Sequence, residues 1–439
     1  MGNLTRREAL TTGACATVAM CAAALGIAGC SSEPASEEQQ DGFTPRLDTQ
    51  AKIDLDITGP FGNFEALDQV EVDFNKLYPN VTFYYEQSGG DLGSGNLADI
   101  FSTSDENLYF PDDSAKYVAT RCMDLSGEDI DTSEVEQPYL DACTVEGKLL
   151  SLPVSLKVDG MVVNETLLEK EGLEVPKRWD EFLAALDALK GLGYTPIQGP
   201  VDAVYANLIS GMVGYLVGTD ADLQRTIADG DLEAAQEKVA PAFERLAEIV
   251  DGGYTDYDTN GTYPFDNYDG AIMAFFEGNV PFWVCDTEKF SGMKKRESKS
   301  EAFSAEPFEY RFMGVPIADD GAYVTRKAWY GFSVNSDGEN ADYALEFVRF
   351  LATRPELENI AAIKGVPCVM AEESNERYAG IDAKDDLNKT YCSDGTVDTA
   401  VLNALRNAAK SYADGEATLE EAEAAFVSSC TELAAKRVR

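Results

Sequence analysis

Between residues 53 and 102 the spacing of apolar side chains changes from two to about 3.6 and back, and few folds can use such a chain. Ile53, Leu55 and Ile57 alternate with Asp54 and Asp56, which is a strand period, and Gly59-Pro60 ends the run. Phe64, Leu67, Val70, Phe74, Leu77 and Tyr78 then recur at helical spacing through residues 63–78, and Pro79-Asn80 turns the chain into a strand over Val81–Glu86. A Gly-rich turn, Gly89–Gly95, leads to a third short strand over Ala98–Ser102. Strands that alternate with helices favour a mostly parallel sheet covered by helices, so the expected fold class is α/β. The spacing also predicts an amphipathic helix over Asp180–Lys190, with Phe182, Leu183, Leu186 and Leu189 on one side and Gly191 placed to cap it. Further helices are expected at 231–250, 340–352, 399–412 and 418–435.

A chain of 439 residues exceeds what one core supports, so two large domains or three small ones are expected. With 44% hydrophobic and 26% charged residues the composition is globular. The formal net charge of −43 argues against nucleic acid and anionic membrane surfaces as partners. There is no histidine, which removes Ser-His-Asp and Cys-His nucleophile activation and every zinc site that needs imidazole.

Residues 1–29 read as a signal peptide. Thr5-Arg6-Arg7-Glu8-Ala9-Leu10 is a short basic region before an Ala/Gly-rich apolar run. It resembles the twin-arginine export signal, with Ala9 where Phe is common, so twin-arginine and general secretion both stay open. Ile27-Ala28-Gly29-Cys30 resembles the bacterial lipobox, which implies lipidation of Cys30, the only expected membrane contact. Residues 30–50 read as a flexible acidic tether, rich in Ser, Glu, Gln and Pro from Ser31 to Gly42. Outside the signal and Cys30, six cysteines remain, at 122, 143, 285, 368, 392 and 430. An even set in an exported protein allows disulfides, of which Cys122–Cys143 is expected first, with buried thiols as the alternative.

Several segments together carry a resemblance. Leu97-Ala98-Asp99-Ile100-Phe101 comes first, then Gly147-Lys148-Leu149-Leu150-Ser151-Leu152-Pro153 and Asn164-Glu165-Thr166-Leu167-Leu168. Gly172-Leu173, Pro176, Trp179-Asp180-Glu181-Phe182, Gly193-Tyr194-Thr195-Pro196-Ile197 and Phe276-Glu277-Gly278 follow in order. With Ala341–Leu351 and Gly365-Val366-Pro367, the chain from about 51 to 370 resembles the family 1 extracellular solute-binding proteins. The family is similar to maltose-binding protein, which implies two α/β lobes joined by crossing segments and capture of a small solute, most commonly a carbohydrate, for an ABC importer. The resemblance implies crossings near Val154–Lys157, Gly314–Ile317 and Lys364–Pro367. Lobe 1 would then be 51–156 with 317–365, and lobe 2 would be 157–316 with 366–439. It implies no catalysis, no cofactor, ABC permease subunits as partners and a monomer at the cell surface.

In open α/β sheets ligands sit beyond the carboxyl ends of strands, which selects Asn63 after the first strand and Asp105 after the third. An N-cap and a turn residue are the plain alternatives for these two. Lys157 and Asp159 follow the first implied crossing. Relatives often place cleft residues at the position of Trp329-Tyr330, and an aromatic face suits a sugar ring. Trp283 reads as core, with the cleft as its alternative. Many sugar-binding relatives carry Gly-x-Trp where this chain has Asp286-Thr287-Glu288. Asp286 and Glu288 are therefore candidates to accept hydroxyl hydrogen bonds or attract a cation, which leaves basic or zwitterionic cargo open.

Asp256–Gly261 matches half of an EF-hand loop, but Asn267 stands where the bidentate Glu is needed and Pro264 interrupts it, so it reads as a solvated turn. Gly89–Gly95 lacks the lysine of a phosphate loop. The competing readings are a surface glycosidase using two carboxylates, which needs no histidine, and a ligand-sensing surface lipoprotein.

Overall fold

The computed structural model describes residues 43–59, 65–87, 98–103, 108, 120–199, 208, 236–255, 268–370, 389–392 and 399–436. The signal peptide, Cys30, Asn63, Asp105, Gly89–Gly95 and Asp256–Gly261 lie outside them.

The first half runs β1 (Ile53–Gly59), α1 (Glu65–Leu77), β2 (Val81–Gln87), β3 (Ile100–Thr103), α2 (Gln137–Ala142), β4 (Thr144–Val145), β5 (Lys148–Leu149) and β6 (Leu152–Asn164). It continues with α3 (Glu165–Lys170), α4 (Trp179–Gly191), β7 (Ile197–Gln198), α5 (Gln236–Gly252), α6 (Tyr268–Phe275), β8 (Phe282–Asp286) and α7 (Thr287–Lys294). Next come α8 (Glu301–Ala305), β9 (Tyr310–Met313), β10 (Val315–Ala318), β11 (Gly321–Val334), α9 (Ala341–Leu351), α10 (Arg354–Lys364), β12 (Lys389–Cys392), α11 (Thr399–Ala413) and α12 (Leu419–Lys436).

The opening units follow from their patterns. β1 buries Leu55 and Ile57 and pairs in parallel with β2 and β3, while α1 turns Ala66, Leu67, Val70 and Phe74 inward. α4 ends differently from the expectation. It absorbs Gly191, and the left-handed residue is Gly193 at φ 93°, after Leu192 donates its N–H to the carbonyl of Ala188.

One sheet runs β2-β1-β3-β11-β6-β8-β7, with β9, β10 and β12 at its side. Its flanks are parallel, and the two long strands at its centre, β6 and β11, pair antiparallel from Leu152 with Phe332 to Lys157 with Lys327. Each long strand serves two cores. Leu152, Val154 and Leu156 of β6 pack with Phe332 and Val334 of β11, α1, α9 and α10 in a first core. Farther along β6, Met161 and Val163 enter a second core with α4, α5, α11 and α12, while Val158 and Val162 face an aromatic cluster on the other side of the sheet. Trp283 belongs to that cluster, stacked on Phe275 at 5.8 Å and 2% exposed.

These memberships correct three implied boundaries. Val315, Ile317 and Ala322 pack in the second core, so the return crossing lies within β11 and not at Gly314–Ile317. β10 and β11 form a hairpin at Ala318 and Gly321, and it is the outgoing strand that crosses. Cys368, Val369 and Met370 pack in the first core, beyond the crossing implied at Lys364–Pro367. The ordered chain also starts earlier than residue 51. Phe43 meets Phe350 edge-on at 5.1 Å, Arg349 lies 4.0 Å over its ring, and Glu346 Oε1 accepts from the Arg46 N–H at 2.9 Å and the Tyr78 hydroxyl at 2.5 Å. Residues 43–50 are thus docked and are not tether.

The expected Cys122–Cys143 disulfide is not made, because both residues are buried thiols. Burial pushes the Cys122 thiol up to about 11, against the lowering effect of a hydrogen bond with Ser333. Among the described residues no helix is long and apolar enough to cross a membrane.

Candidate functional site

Where β6 and β11 pass between the cores, period two sorts their side chains. Leu156 and Val158 go to the cores, and Ser155, Lys157 and Asp159 share the other face of β6. Lys327 stands directly opposite Lys157, and Asp286 at the end of β8 stands opposite Asp159. Trp329 is the extra residue of a bulge between Ala328 and Tyr330, a device that re-aims a side chain. Its ring lies under Lys157, whose Nζ is 3.7 Å from the centroid. Gly331 follows where a Cβ would come within 2.5 Å of the Leu152 carbonyl, so only glycine lets the strands approach this closely.

Lys157 is also held by Asp286, its Nζ 3.3 Å from Oδ2, and Lys289 reaches the same oxygen at 2.5 Å. Asp286 is only 2% exposed and caps α7, its Oδ1 accepting the Lys289 N–H at 2.9 Å. Burial opposes the charge on Asp286, but Lys157 and Lys289 outweigh it and hold the carboxyl well below the usual range. Burial lowers the pKa of Lys157, only partly offset by Asp286 and Asp159. On Lys289 burial is the largest single influence, yet Asp286 and its hydrogen bond raise the net value. Thr287 ties this corner to β6, its Oγ1 accepting the Val158 N–H at 3.2 Å.

About 230 Å³ of open space lies against this face, lined by Ser155, Leu156, Lys157, Glu288, Trp329, Lys364 and Val366. Past Glu288 and Lys364 it adjoins a wider depression of about 770 Å³ bordered by Lys289, Ser291, Lys295 and Arg296. Ser155 is 1% exposed, and its Oγ has no hydrogen-bond partner. A buried hydroxyl left unpaired at a cavity wall costs about 1–3 kcal/mol unless something entering the cavity satisfies it. Burial raises the Glu288 pKa, helped by Asp286, and lowers that of Lys364.

Two contacts cross the mouth between elements of different cores. Lys295 Nζ is 3.0 Å from Glu65 Oε1, and the Ser291 hydroxyl donates to the Lys364 carbonyl at 2.7 Å. The two sides are therefore closed on each other.

Of the residues read from sequence, Lys157, Asp286, Glu288 and Trp329 converge here. Tyr330 is described by its backbone alone, opposite Ser155. Asp286 differs from expectation in its role: both carboxylate oxygens are engaged by Lys157, Lys289 and the start of α7, so it is a counter-ion and cap with no oxygen turned to a cation from outside. Ser155, Lys289 and Lys364 were missed. The period-two partner of Lys157 would have found Ser155, and the Asp286–Lys289 spacing is a cap signature, but nothing local marks Lys364. Among the described residues no group of three or more His, Cys, Asp or Glu side chains is placed to hold a metal.

Residues 60–356 match the bacterial extracellular solute-binding protein family. The chain is 21% identical over 365 residues to the multiple sugar-binding protein of Streptococcus mutans serotype c, covering 78% of each. Its fold is that of a family 1 extracellular solute-binding protein from Bifidobacterium longum subsp. infantis, with TM-score 0.64, 18% identity and 86% and 98% of the two chains covered. It is also that of a sugar transporter protein from Bacillus licheniformis in complex with stachyose, with TM-score 0.62, 15% identity and coverage of 87% and 100%.

Proposed function

The chain belongs to the bacterial extracellular solute-binding protein family, and on that premise we propose that it is the saccharide receptor of an ABC importer. The observation that carries this reading is the cavity at the β6–β11 crossing, where the unpartnered Ser155 hydroxyl and the Trp329 indole line one space between the first core and α7, the helix packed on the aromatic cluster. A ligand that touches both sides favours the closed arrangement by its differential contacts, and the closed shape is what a permease can read. The likeness to a multiple sugar-binding protein and to a stachyose complex supports a saccharide as the solute. In this reading Asn63, Asp105 and Tyr330 complete the lining, one lobe gathers the residues of the first core and the other those of the second, and the receptor works as a monomer. No step of it calls for catalysis.

Export and anchoring belong to the same proposal. Cleavage before Cys30 and lipidation of its thiol would tether the receptor outside the cell, with residues 31–42 as the leash. Cys30→Ser is expected to release the protein from the membrane fraction, and retention at the wild-type level would remove the anchor from the reading.

Binding is tested on the purified mature chain by thermal shift against mono- and oligosaccharides, peptides and polyamines, followed by calorimetry. A ligand at 100 times its Kd raises stability by about 2.7 kcal/mol. Trp329→Ala is expected to weaken saccharide binding about tenfold or more through lost apolar contact. Stabilisation by peptides or polyamines with none by saccharides would overturn the solute class. Steady turnover of glycosides would replace the receptor with an enzyme.

A further inference from the structure

Buried polar groups normally find partners, so two that lack them on one cavity mark what that cavity receives. Ser155 on β6 is the first, 1% exposed with its Oγ unpaired. Glu288 is the second. It lines the same space from the first turn of α7, and its carboxylate makes no hydrogen bond or ion pair among the described residues. The acids around it are all engaged. Asp286 holds Lys157 and Lys289, Glu65 holds Lys295, Asp269 holds Arg296, and Glu297 holds Lys294 and accepts the Tyr310 hydroxyl. Glu288 also borders the outer depression, so it stands where the inner space opens toward the mouth.

The chemistry of the two groups narrows what can sit between them. A carboxylate only accepts and has two oxygens to accept with, whereas a serine hydroxyl both donates and accepts. The lining holds charges of both signs, Glu288 with Lys157 and Lys364, so a ligand of either charge meets its like there. Neutral hydroxyls meet none. A space of about 230 Å³ is also small enough for one ring to reach both walls. The cation that Asp286 and Glu288 left open from sequence is set aside, because Asp286 is occupied and two lysines share the lining with Glu288.

We propose that Glu288 reads the ligand's hydroxyls: its ionised carboxylate accepts from two adjacent hydroxyls of one saccharide ring, the Ser155 hydroxyl bonds to the same ring, and capture weakens in acid. This rests on the receptor reading above and adds to it the selecting residue and a dependence on pH. Protonation costs Glu288 its charge and one acceptor oxygen, and hydrogen bonds to the charged form are the stronger ones. Burial, then Asp286, raises the Glu288 pKa above the ordinary 4.5, against the pull of Lys289, Lys157 and Lys364. Protonation and ligand therefore compete in mild acid, and binding there releases a proton. Asp286 is held well below the usual range and stays ionised throughout. Glu71 and Glu356 in the first lobe also titrate, and their effect is subtracted by a variant that changes Glu288 alone.

The test is calorimetry of the mature chain with neutral di- to tetrasaccharides of the gluco, galacto and manno series at pH 5 and pH 8. The tightest of them is expected to bind about tenfold or more tighter at pH 8, and to release a fraction of a proton at pH 5 when buffers of different ionisation heat are compared. Glu288→Gln should lose about tenfold in affinity at pH 8 and flatten the pH dependence, with the melting temperature of the empty protein kept. Ser155→Ala should weaken binding at both pH values and leave the slope between them unchanged. Wild-type affinity equal or greater at pH 5, or a Glu288→Gln variant that binds like wild type at pH 8, would overturn the role of Glu288 and leave the saccharide receptor standing. If none of these saccharides binds at either pH, both fall.

Discussion

Lys295 and Glu65 join the two sides of the molecule, the lysine capping α7 beside the aromatic cluster and the glutamate opening α1 of the first core, 3.0 Å apart. Burial alone would raise the Glu65 pKa, but the hydrogen bond from Lys295 lowers it, with help from the nearby Lys364. Both side chains are more than 40% exposed, so the pair is worth at most about 1 kcal/mol and acts as a bias on closure. Glu65→Lys would set three cations together at the mouth. The empty variant is expected to have a larger radius of gyration by small-angle scattering, and Glu65→Lys combined with Lys295→Glu is expected to return toward wild type. An unchanged radius in the single variant would show that closure does not depend on this pair.

Asp286 holds α7 and two lysines in place. Its removal leaves the ammonium groups of Lys157 and Lys289 without their shared partner and the first turn of α7 without its cap, and breaking a buried pair costs about 3–5 kcal/mol. Asp286→Ala should therefore lower the melting temperature of the empty protein by many degrees, whereas Lys327→Gln should not. Thermal unfolding of the two variants side by side checks this, and equal melting temperatures would contradict the assignment of Asp286 as counter-ion and cap.

The β1-α1-β2 start was legible because each element has one buried face, so Ile53, Leu55 and Ile57 and then Leu67, Val70 and Phe74 show their periods openly. β6 and β11 were not. A strand that leaves one core and enters another is buried on both sides for much of its length, and its local sequence does not say where the change of partner falls. Gly314-Val315-Pro316 therefore passed for a crossing when it only introduces β10. In the site, Lys157, Asp286, Glu288 and Trp329 were visible as polar or aromatic residues at strand ends. Lys364 acquires its meaning from the way α10 ends against α7.

Cys122 and Cys143 were paired in expectation because they are close in sequence and their set is even. In the structure Cys122 bridges to Asn335 beside β11, while Cys143 caps α2 and packs in the first core. Alkylation of the native protein should be slow at both, Cys122 in particular being pushed up to about 11 by burial, and fast after denaturation. Peptide mapping without reductant is expected to return both as alkylated thiols. A linked Cys122–Cys143 peptide would restore the disulfide.

Glu356 sits at the start of α10, 2% exposed and packed toward α1, where burial and then the charge of Asp73 push its carboxyl up to about 7 from an ordinary 4.5. Between those two values the folded chain holds a proton that the unfolded chain releases. Stability is therefore lost as pH rises through this window, and the whole cost is in place above it. A Glu356→Gln variant carries no charge to bury. At pH 8 it should be more stable than wild type by about 2–3 kcal/mol, and near pH 4.5 the difference should shrink toward zero. Glu71 in α1 is also raised to about 7, by burial and Asp68, so some pH dependence should remain in the variant. Urea unfolding of both proteins at pH 4.5 and pH 8 measures the two gaps. A gap of the same size at both would mean that Glu356 does not ionise in the folded protein across this window.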